Sequence, residues 1–386
     1  MNNFDEILDR RQYHAIKFKD LSTDYLMLGT ADMDFKSSSA VQDALLKKAQ
    51  QGNYGYELKS ADYYQAIIDW YQRHYNWQIT KEMIAVAPGI WTSLKMCIDT
   101  FSQIGDKILV HSPTFHPIVN IVKKSQRELV INDLIYKNNY YSINFDTLEK
   151  QLKDNIKIFI LINPHNPSGR VFTKDELIKI GELCLKYNVL VISDEVHGGI
   201  VFDNNKHLPF GSINKTFSTN SIIINSASKA YNLQGLTHAY LIIANNEYRE
   251  QFEETLSCYD LDFATNIFSM TALKAAYNES DQWLQDVNKY LQNNLDYLDN
   301  YLKEELSQIK LIRPEASYLA WLDISALRLS TSEIKELFIN KAKMYFSFEE
   351  SFNMHEGNFI RINFGCPLSV LQEALKRLKE VLQDFE

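Results

Sequence analysis

Three residues of this chain have the types and the placement to do chemistry together. Lys229 lies in "NSASKAYN", Asn225 to Asn232, directly after the apolar run "SIIIN". Lysine is almost never buried unpaired. Held between Ser226, Ser228 and a core strand, it is either a solvated loop residue or an amine kept for nucleophilic or base work. Asp194 opens "DEVHGG" after the run "VLVIS", and Asn166 lies in "NPHNPSGR", Asn163 to Arg170, after "KIFILI". Two Asn-Pro pairs and a glycine fix an unusual turn there, from which an amide could reach a ligand. Singly, each is an ordinary loop residue. Amide, acid and amine in that order, each just past a separate apolar run, form a pattern that bare turns do not require.

Two further run ends add to the set. After "MIAVA", Pro88 and Gly89 lead into the amphipathic "IWTSLKMC", where free N–H groups and the positive end of a helix could hold a phosphate. After "KILV" comes "HSPTFHP", whose Phe115 is placed either to stack on a planar ligand or to fill an interface. An acidic pair behind a strand also resembles a nucleotide-site segment. That reading needs a Gly-Lys dipeptide upstream, and the chain contains none; nor does it contain a GxG for a dinucleotide. Zinc is not expected, since no HExxH and no close cysteine pair accompany the nine histidines. Pyridoxal 5'-phosphate needs what remains: a lysine to form an imine with its aldehyde, a carboxylate at its ring nitrogen, and donors around its phosphate. Asp194 would keep the pyridine protonated by charge pairing. Lys229 would carry the coenzyme, exchange with a substrate amine and move the α-proton. Ser226 and Ser228 would donate to the phosphate.

The elements that must position these groups are legible too. Six short apolar runs recur between about residues 83 and 243, with helix-length segments between them, such as "TKDELIKIGELCLKY", where Thr173 and Glu176 form a capping box. Alternating strands and helices imply an α/β fold with a largely parallel sheet covered on both faces, and ligands gather beyond the carboxyl ends of its strands. From near Ser280, Leu284, Val287, Leu291, Leu295, Leu298, Leu302 and Leu306 recur at spacings of three and four, giving one packing stripe on a long helix. At 386 residues two domains are expected: a large one, 46–279, and a smaller α+β one built from 1–45 and 280–386.

A hydrophobic fraction of 45% and a charged fraction of 23% argue against disorder. A net charge of −9 argues against a nucleic-acid surface. With no run of eighteen apolar residues and no signal-like start, neither a membrane span nor export is expected. Four scattered cysteines fit reduced thiols in the cytoplasm.

The assembled residues resemble the fold-type-I, pyridoxal-phosphate-dependent aminotransferase superfamily, with its aspartate aminotransferase-like fold. "NPHNPSG", "ISDEVH", "SASKAYN" and "FIRINFGCP" carry that likeness nearly end to end. "FDEILDRR", "ADMDF" (Ala31 to Phe35), "YGYE" (Tyr54 to Glu57), "SYLAWLD" (Ser317 to Asp323) and "DEVH" look most like the cystathionine β-lyase-type carbon–sulfur lyases. The resemblance implies that Lys229 is the imine-forming lysine and that Asp194 pairs the ring nitrogen. It places Asn166 at the phenolic oxygen with His197 nearby, Arg361 on the substrate α-carboxylate, and Gly89, Ile90 and Trp91 around the phosphate. Tyr56 would reach into the neighbouring subunit's phosphate site, so a homodimer with shared sites is implied.

The chain departs from that pattern in places. Phe115 stands where these lyases usually carry a stacking tyrosine. "LMLGT" and "IKFKD" replace the usual tryptophan-bearing segments near the expected substrate entrance. Thr237 stands where aminotransferases often place a phosphate-binding arginine, an absence the lyase branch shares. The resemblance thus implies cleavage of L-cystathionine or related L-cysteine S-conjugates to thiol, pyruvate and ammonia. Its rivals are transfer of the amino group to a 2-oxo acid, and a regulatory protein that keeps the fold and binds a partner.

Overall fold

The structure, a computed structural model, describes residues 2–18, 24–263, 265–352 and 359–383. Lys19 and Asp20 of "IKFKD" lie outside the described residues.

All six apolar runs form strands of one sheet. They are β1 (Ile84–Ala87), β2 (Lys107–Ser112), β4 (Ile156–Ile162), β5 (Leu190–Asp194), β6 (Ser221–Asn225) and β7 (Ala239–Ile242). A seventh strand, β3 (Glu128–Asp133), is too polar to stand out as an apolar run. The order across the sheet is β1-β7-β6-β5-β4-β2-β3. The pairs β2–β3, β2–β4, β4–β5 and β5–β6 are parallel, whereas β7 runs antiparallel to both neighbours. Alternate side chains enter two separate cores. Leu109, Phe159, Val191 and Ile223 pack on one face, and Val110, Ile160, Ile192 and Ile224 on the other. The near-continuous apolar runs follow from this burial on both faces.

Register sets the site. Ile162 pairs with Asp194 and Asp194 with Ile224, so the chains leaving β4, β5 and β6 emerge side by side. Backbone bonds tie those exits together: the Asn163 N–H donates to Asp194 O and the Glu195 N–H to Ile224 O, each at 3.0 Å.

The predicted capping box forms at Thr173 and Glu176 and starts the helix Lys174–Lys186. The stripe from Leu284 to Leu302 is the buried face of a 25-residue helix, Asp281–Glu305, and Leu306, also buried, caps its end. Each such leucine contributes about 1.5–3 kcal/mol by leaving water, and truncating one, such as Leu295→Ala, costs about 2–5 kcal/mol. The helix packs with Leu368–Gln383 near a four-stranded antiparallel sheet. That sheet comprises β8 (Lys310–Ile312), β9 (Leu319–Asp323), β10 (Ser347–Phe348) and β11 (Phe359–Asn363), in the order β8-β9-β11-β10. The N-terminal segment joins this half. Leu26–Met27 pairs in parallel with Met344–Tyr345, and Phe4 packs edge-on against Phe35 and Trp283. Among the described residues no helix is long and apolar enough to cross a membrane.

Candidate active site

A cavity of about 380 Å³ opens beyond the carboxyl edge of the large sheet. It brings together Gly89, Ile90, Trp91, Phe115, Asn166, Asp194, His197, Ser228 and Lys229, nine of the residues singled out in the sequence. Ser226 is not among its lining residues; it lies behind the wall, where its Oγ accepts the Ser228 N–H at 3.1 Å. Tyr56 stands away from the cavity, 93% exposed. Arg361 lies just beside it, joined to Asn166.

Asp194 ends β5 with its carboxylate buried, and Oδ1 accepts the Val196 N–H at 3.2 Å. Burial raises its pKa to about 6; Glu195 adds to the rise, while the Val196 bond and the nearby Lys229 charge oppose it. Lys229 lies in a one-turn helix, Ser228–Tyr231, at the exit of β6. Burial lowers its amine to about 8, with the Arg361 charge acting the same way and Asp32 and Asp194 opposing. Its Nζ donates to Ala31 O at 2.6 Å. The acid and the amine therefore share one cleft and sense each other. His197 is held neutral, its pKa pushed well down by burial and by the Lys229 and Arg361 charges, while its Nδ1 bonds Ser317 Oγ at 3.0 Å.

At the other wall, Gly89 caps the helix Ile90–Phe101 without a side-chain hydrogen bond, leaving first-turn N–H groups for a ligand. Phe115 packs between Trp91 and Phe352, at 5.8 Å from each ring.

Arg361 is carried on β11, between Trp321 of β9 and Ser347 of β10. It is 2% exposed. Its guanidinium donates to Asn166 Oδ1 at 2.9 Å, Gly29 O at 3.0 Å and Ser347 Oγ at 3.3 Å, and its buried Nε has no partner among the described residues. Burial lowers its pKa to about 10. Among the described residues every acceptor it finds is neutral. A desolvated cation without a counter-charge is costly, and an anionic ligand removes that cost.

The residues present fit pyridoxal phosphate: a buried acid, an amine in the same cleft, an uncapped helix N-terminus and an aromatic wall.

The model of the family Aminotransferase class I and II matches residues 23–378. The chain belongs to that family. Cystathionine beta-lyase PatB of Bacillus subtilis is 34% identical over 98% of this chain and 100% of its own. Among solved structures, cystalysin from Treponema denticola, which contains a pyridoxal 5'-phosphate cofactor, superposes with a TM-score of 0.97 at 28% identity, covering all of both chains. The PLP-bound C-S lyase from Staphylococcus hominis gives 0.93 at 31%, covering 99% of this chain and 98% of its own.

Three site residues, His238, Gln234 and Ala31, escaped the sequence reading, and a fourth, Thr237, was given no place in the cavity. His238 lines the cavity, and its Nε2 bonds the buried Tyr63 OH at 2.8 Å. Thr237, noted only for the arginine it replaces, lines it too. Both precede β7, and in an all-parallel sheet they would lie at the opposite edge. Because β7 is antiparallel, its start meets the site: Ala239 pairs with Ala87. Gln234 and Ala31 line it as well; the group Ala31 offers is its carbonyl, and a backbone acceptor leaves no mark in side-chain types.

Proposed function

We propose that the chain is a pyridoxal-phosphate-dependent carbon–sulfur β-lyase acting on L-cystathionine or related L-cysteine S-conjugates. The observation that carries this reading is Arg361, a buried guanidinium whose acceptors among the described residues are all neutral, beside a cleft that holds both Lys229 and Asp194. An α-carboxylate supplies the missing charge, and the planar fork suits it. The names of the similar proteins, cystathionine beta-lyase and C-S lyase, favour sulfur on the substrate β-carbon.

Bound pyridoxal phosphate supplies the electron sink for a carbanion at the substrate α-carbon. Asp194 would hold the ring nitrogen protonated and Asn166 would bond the phenolic oxygen, with His197 next to it. Ser228 and the turn Gly89–Ile90–Trp91 would hold the phosphate, with Ser226 bracing the Ser228 backbone from behind the wall, and Phe115 would cover the ring. Arg361 would orient the α-carbon. Lys229 Nζ, freed by the substrate amine, would take the α-proton. Sulfur then leaves the β-carbon as thiolate, and water releases the nitrogen, so that one S-conjugate and one water yield one thiol, one pyruvate and one ammonia.

We propose further that the active form is a homodimer, with Tyr56 completing the phosphate site of its partner. Its exposure, and that of Leu58 and Phe263 at 83% and 65%, supports this; sedimentation tests it. The proposed division into a large domain, 46–279, and a small one, 1–45 with 280–386, puts the cavity at their junction. Free cysteines accord with work in the cytoplasm.

Pure protein given cystathionine and no oxo acid tests the reaction. Catalytic pyruvate and thiol are expected. A single turnover, restored by a 2-oxo acid, would make the chain an aminotransferase. Coenzyme attached without turnover, with a partner recovered in pull-downs, would favour a binding role.

A further inference from the structure

Five consecutive backbone carbonyls, Gly29 to Met33, each accept a hydrogen bond from a side chain. Arg361 and Ser347 donate to Gly29 O, Asn363 to Thr30 O and Asp32 O, and Asn232 to Met33 O. The middle one, Ala31 O, is met by three donors: Lys229 Nζ at 2.6 Å, Tyr318 OH at 2.9 Å and Gln234 Nε2 at 3.4 Å. Gln234 also donates to Tyr318 OH at 3.1 Å. That bond occupies the phenol oxygen as an acceptor and leaves its proton for Ala31 O. Two motifs without an assigned task, "ADMDF" and "SYLAWLD", therefore meet at the lysine.

We infer that Tyr318 and Gln234 are positioning residues that fix the Ala31 carbonyl as the acceptor of one Lys229 N–H. The inference rests on the reading of Lys229 as the amine that carries the coenzyme. A neutral amine has two N–H groups and one lone pair. An immobile acceptor on one N–H restricts where the lone pair points, and both reactions asked of this nitrogen, attack on an aldehyde and removal of an α-proton, depend on that direction. The carbonyl cannot swing away, because the peptides on either side are held by Asn363. Tyr318 is fully buried, and burial pushes its ionisation upward, so its hydroxyl stays a donor. The two residues come from different parts of the fold, Gln234 following the Lys229 helix and Tyr318 preceding β9, so the carbonyl is aimed only when both halves are docked.

The test uses Tyr318→Phe and Gln234→Met, singly and combined, with the full-length parent as reference. Coenzyme is first stripped and added back, and the rate of its covalent attachment is followed by absorbance. Attachment about fivefold slower in Tyr318→Phe and slower still in the pair, with the same final amount bound and an unchanged melting temperature, is expected. Turnover of an α-deuterated S-conjugate then reports proton removal: kcat falls about tenfold, KM moves less than twofold, and the isotope effect on kcat rises. Attachment rates and isotope effects equal to the parent's in both single variants would overturn the inference while leaving Lys229 as the attachment point. A parent that never attaches the coenzyme would overturn that reading and this one with it. If Tyr318→Phe does not fold, Gln234→Met alone decides by the same two readouts.

Discussion

Asn166 and Arg361, 195 positions apart, are joined by a 2.9 Å hydrogen bond in which the guanidinium donates to the amide oxygen. The bond couples the turn after β4 of the large sheet to a central strand of the small one. It also fixes the roles of the amide: with Oδ1 engaged, Nδ2 is the atom left to donate into the cavity. One contact therefore orients two of the groups expected to grip coenzyme and substrate.

Arg361→Lys keeps the positive charge but gives up the planar fork. A point-like ammonium cannot serve two carboxylate oxygens and the Asn166 amide together. Hydrogen bonds to charged groups contribute about 1.5–3 kcal/mol, so KM for an S-conjugate is expected to rise roughly tenfold to a hundredfold. Coenzyme attachment should persist. Steady-state kinetics beside the absorbance spectrum check both, and equal loss of the two would make Arg361 a structural residue.

Asp194→Asn separates the two sides of a buried acid. Its pKa is raised to about 6, so the folded chain holds the proton that the unfolded chain releases near pH 4. Below about pH 4 the acid is protonated in both states and has no effect. From there to about pH 6 the coenzyme-free protein loses stability as pH rises, by about 3 kcal/mol for a shift of about two units. The asparagine variant should lose this slope and be the more stable apo-protein at pH 7, while retaining coenzyme poorly. Lys229 acts in a different window. Lowered to about 8, it removes stability as pH falls from its ordinary value toward 8, so the two are separable in denaturant unfolding across pH.

Much of this could be read from residue types. The apolar runs mark six of the large sheet's seven strands because strands buried on both faces leave no polar alternation. Lys229, Asp194 and Asn166 were legible because each follows such a run. The direction of β7 was not, since an apolar run reads the same both ways, and with it went His238 and the placement of Thr237. Strand β3 was missed because Glu128 on one side and Asn132 and Asp133 on the other leave it an apolar stretch of only Leu129, Val130 and Ile131. The Ala31 acceptor was invisible for a different reason: a carbonyl belongs to every residue, and only tertiary contacts from Tyr318 and Gln234 single one out.

Gly169→Ala should disturb the Asn166 turn without touching the cavity. Gly169 has φ +71°, where an L side chain is strained, and an added Cβ would lie 2.4 Å from Pro314 Cβ and 2.7 Å from its Cα. Its carbonyl accepts the N–H groups of Glu315 and Ala316, so the clash falls on the joint between the turn and the C-terminal half. A loss of at least about 1–3 kcal/mol is expected, read as a lower melting temperature together with weaker substrate binding.

Lys229→Ala should abolish covalent attachment outright. Borohydride treatment followed by mass spectrometry of the intact chain is the direct check, with the coenzyme's added mass present in the parent and absent in the variant. An unchanged adduct in Lys229→Ala would move the attachment point elsewhere and end the present assignment.

Phe115 separates ring stacking from hydroxyl chemistry. Its ring lies 5.3 Å from the Arg361 guanidinium carbon, and Phe352 flanks the same group at 4.9 Å. The aromatic residue would therefore serve both the expected coenzyme ring and the cation proposed to hold the substrate. Phe115→Leu keeps an apolar side chain of somewhat smaller volume and removes the π-face. Aromatic contacts of this kind contribute about 0.5–1.5 kcal/mol, and a desolvated cation–π contact up to about 2 kcal/mol, so coenzyme dissociation should speed up roughly threefold to tenfold and KM should rise by a similar factor. Phe115→Tyr retains the face and adds an oxygen at the cavity, so both constants should stay near the parent's while any change falls on kcat. Identical behaviour of the leucine and tyrosine variants would mean that the ring only fills space between Trp91 and Phe352, and that nothing planar rests on it.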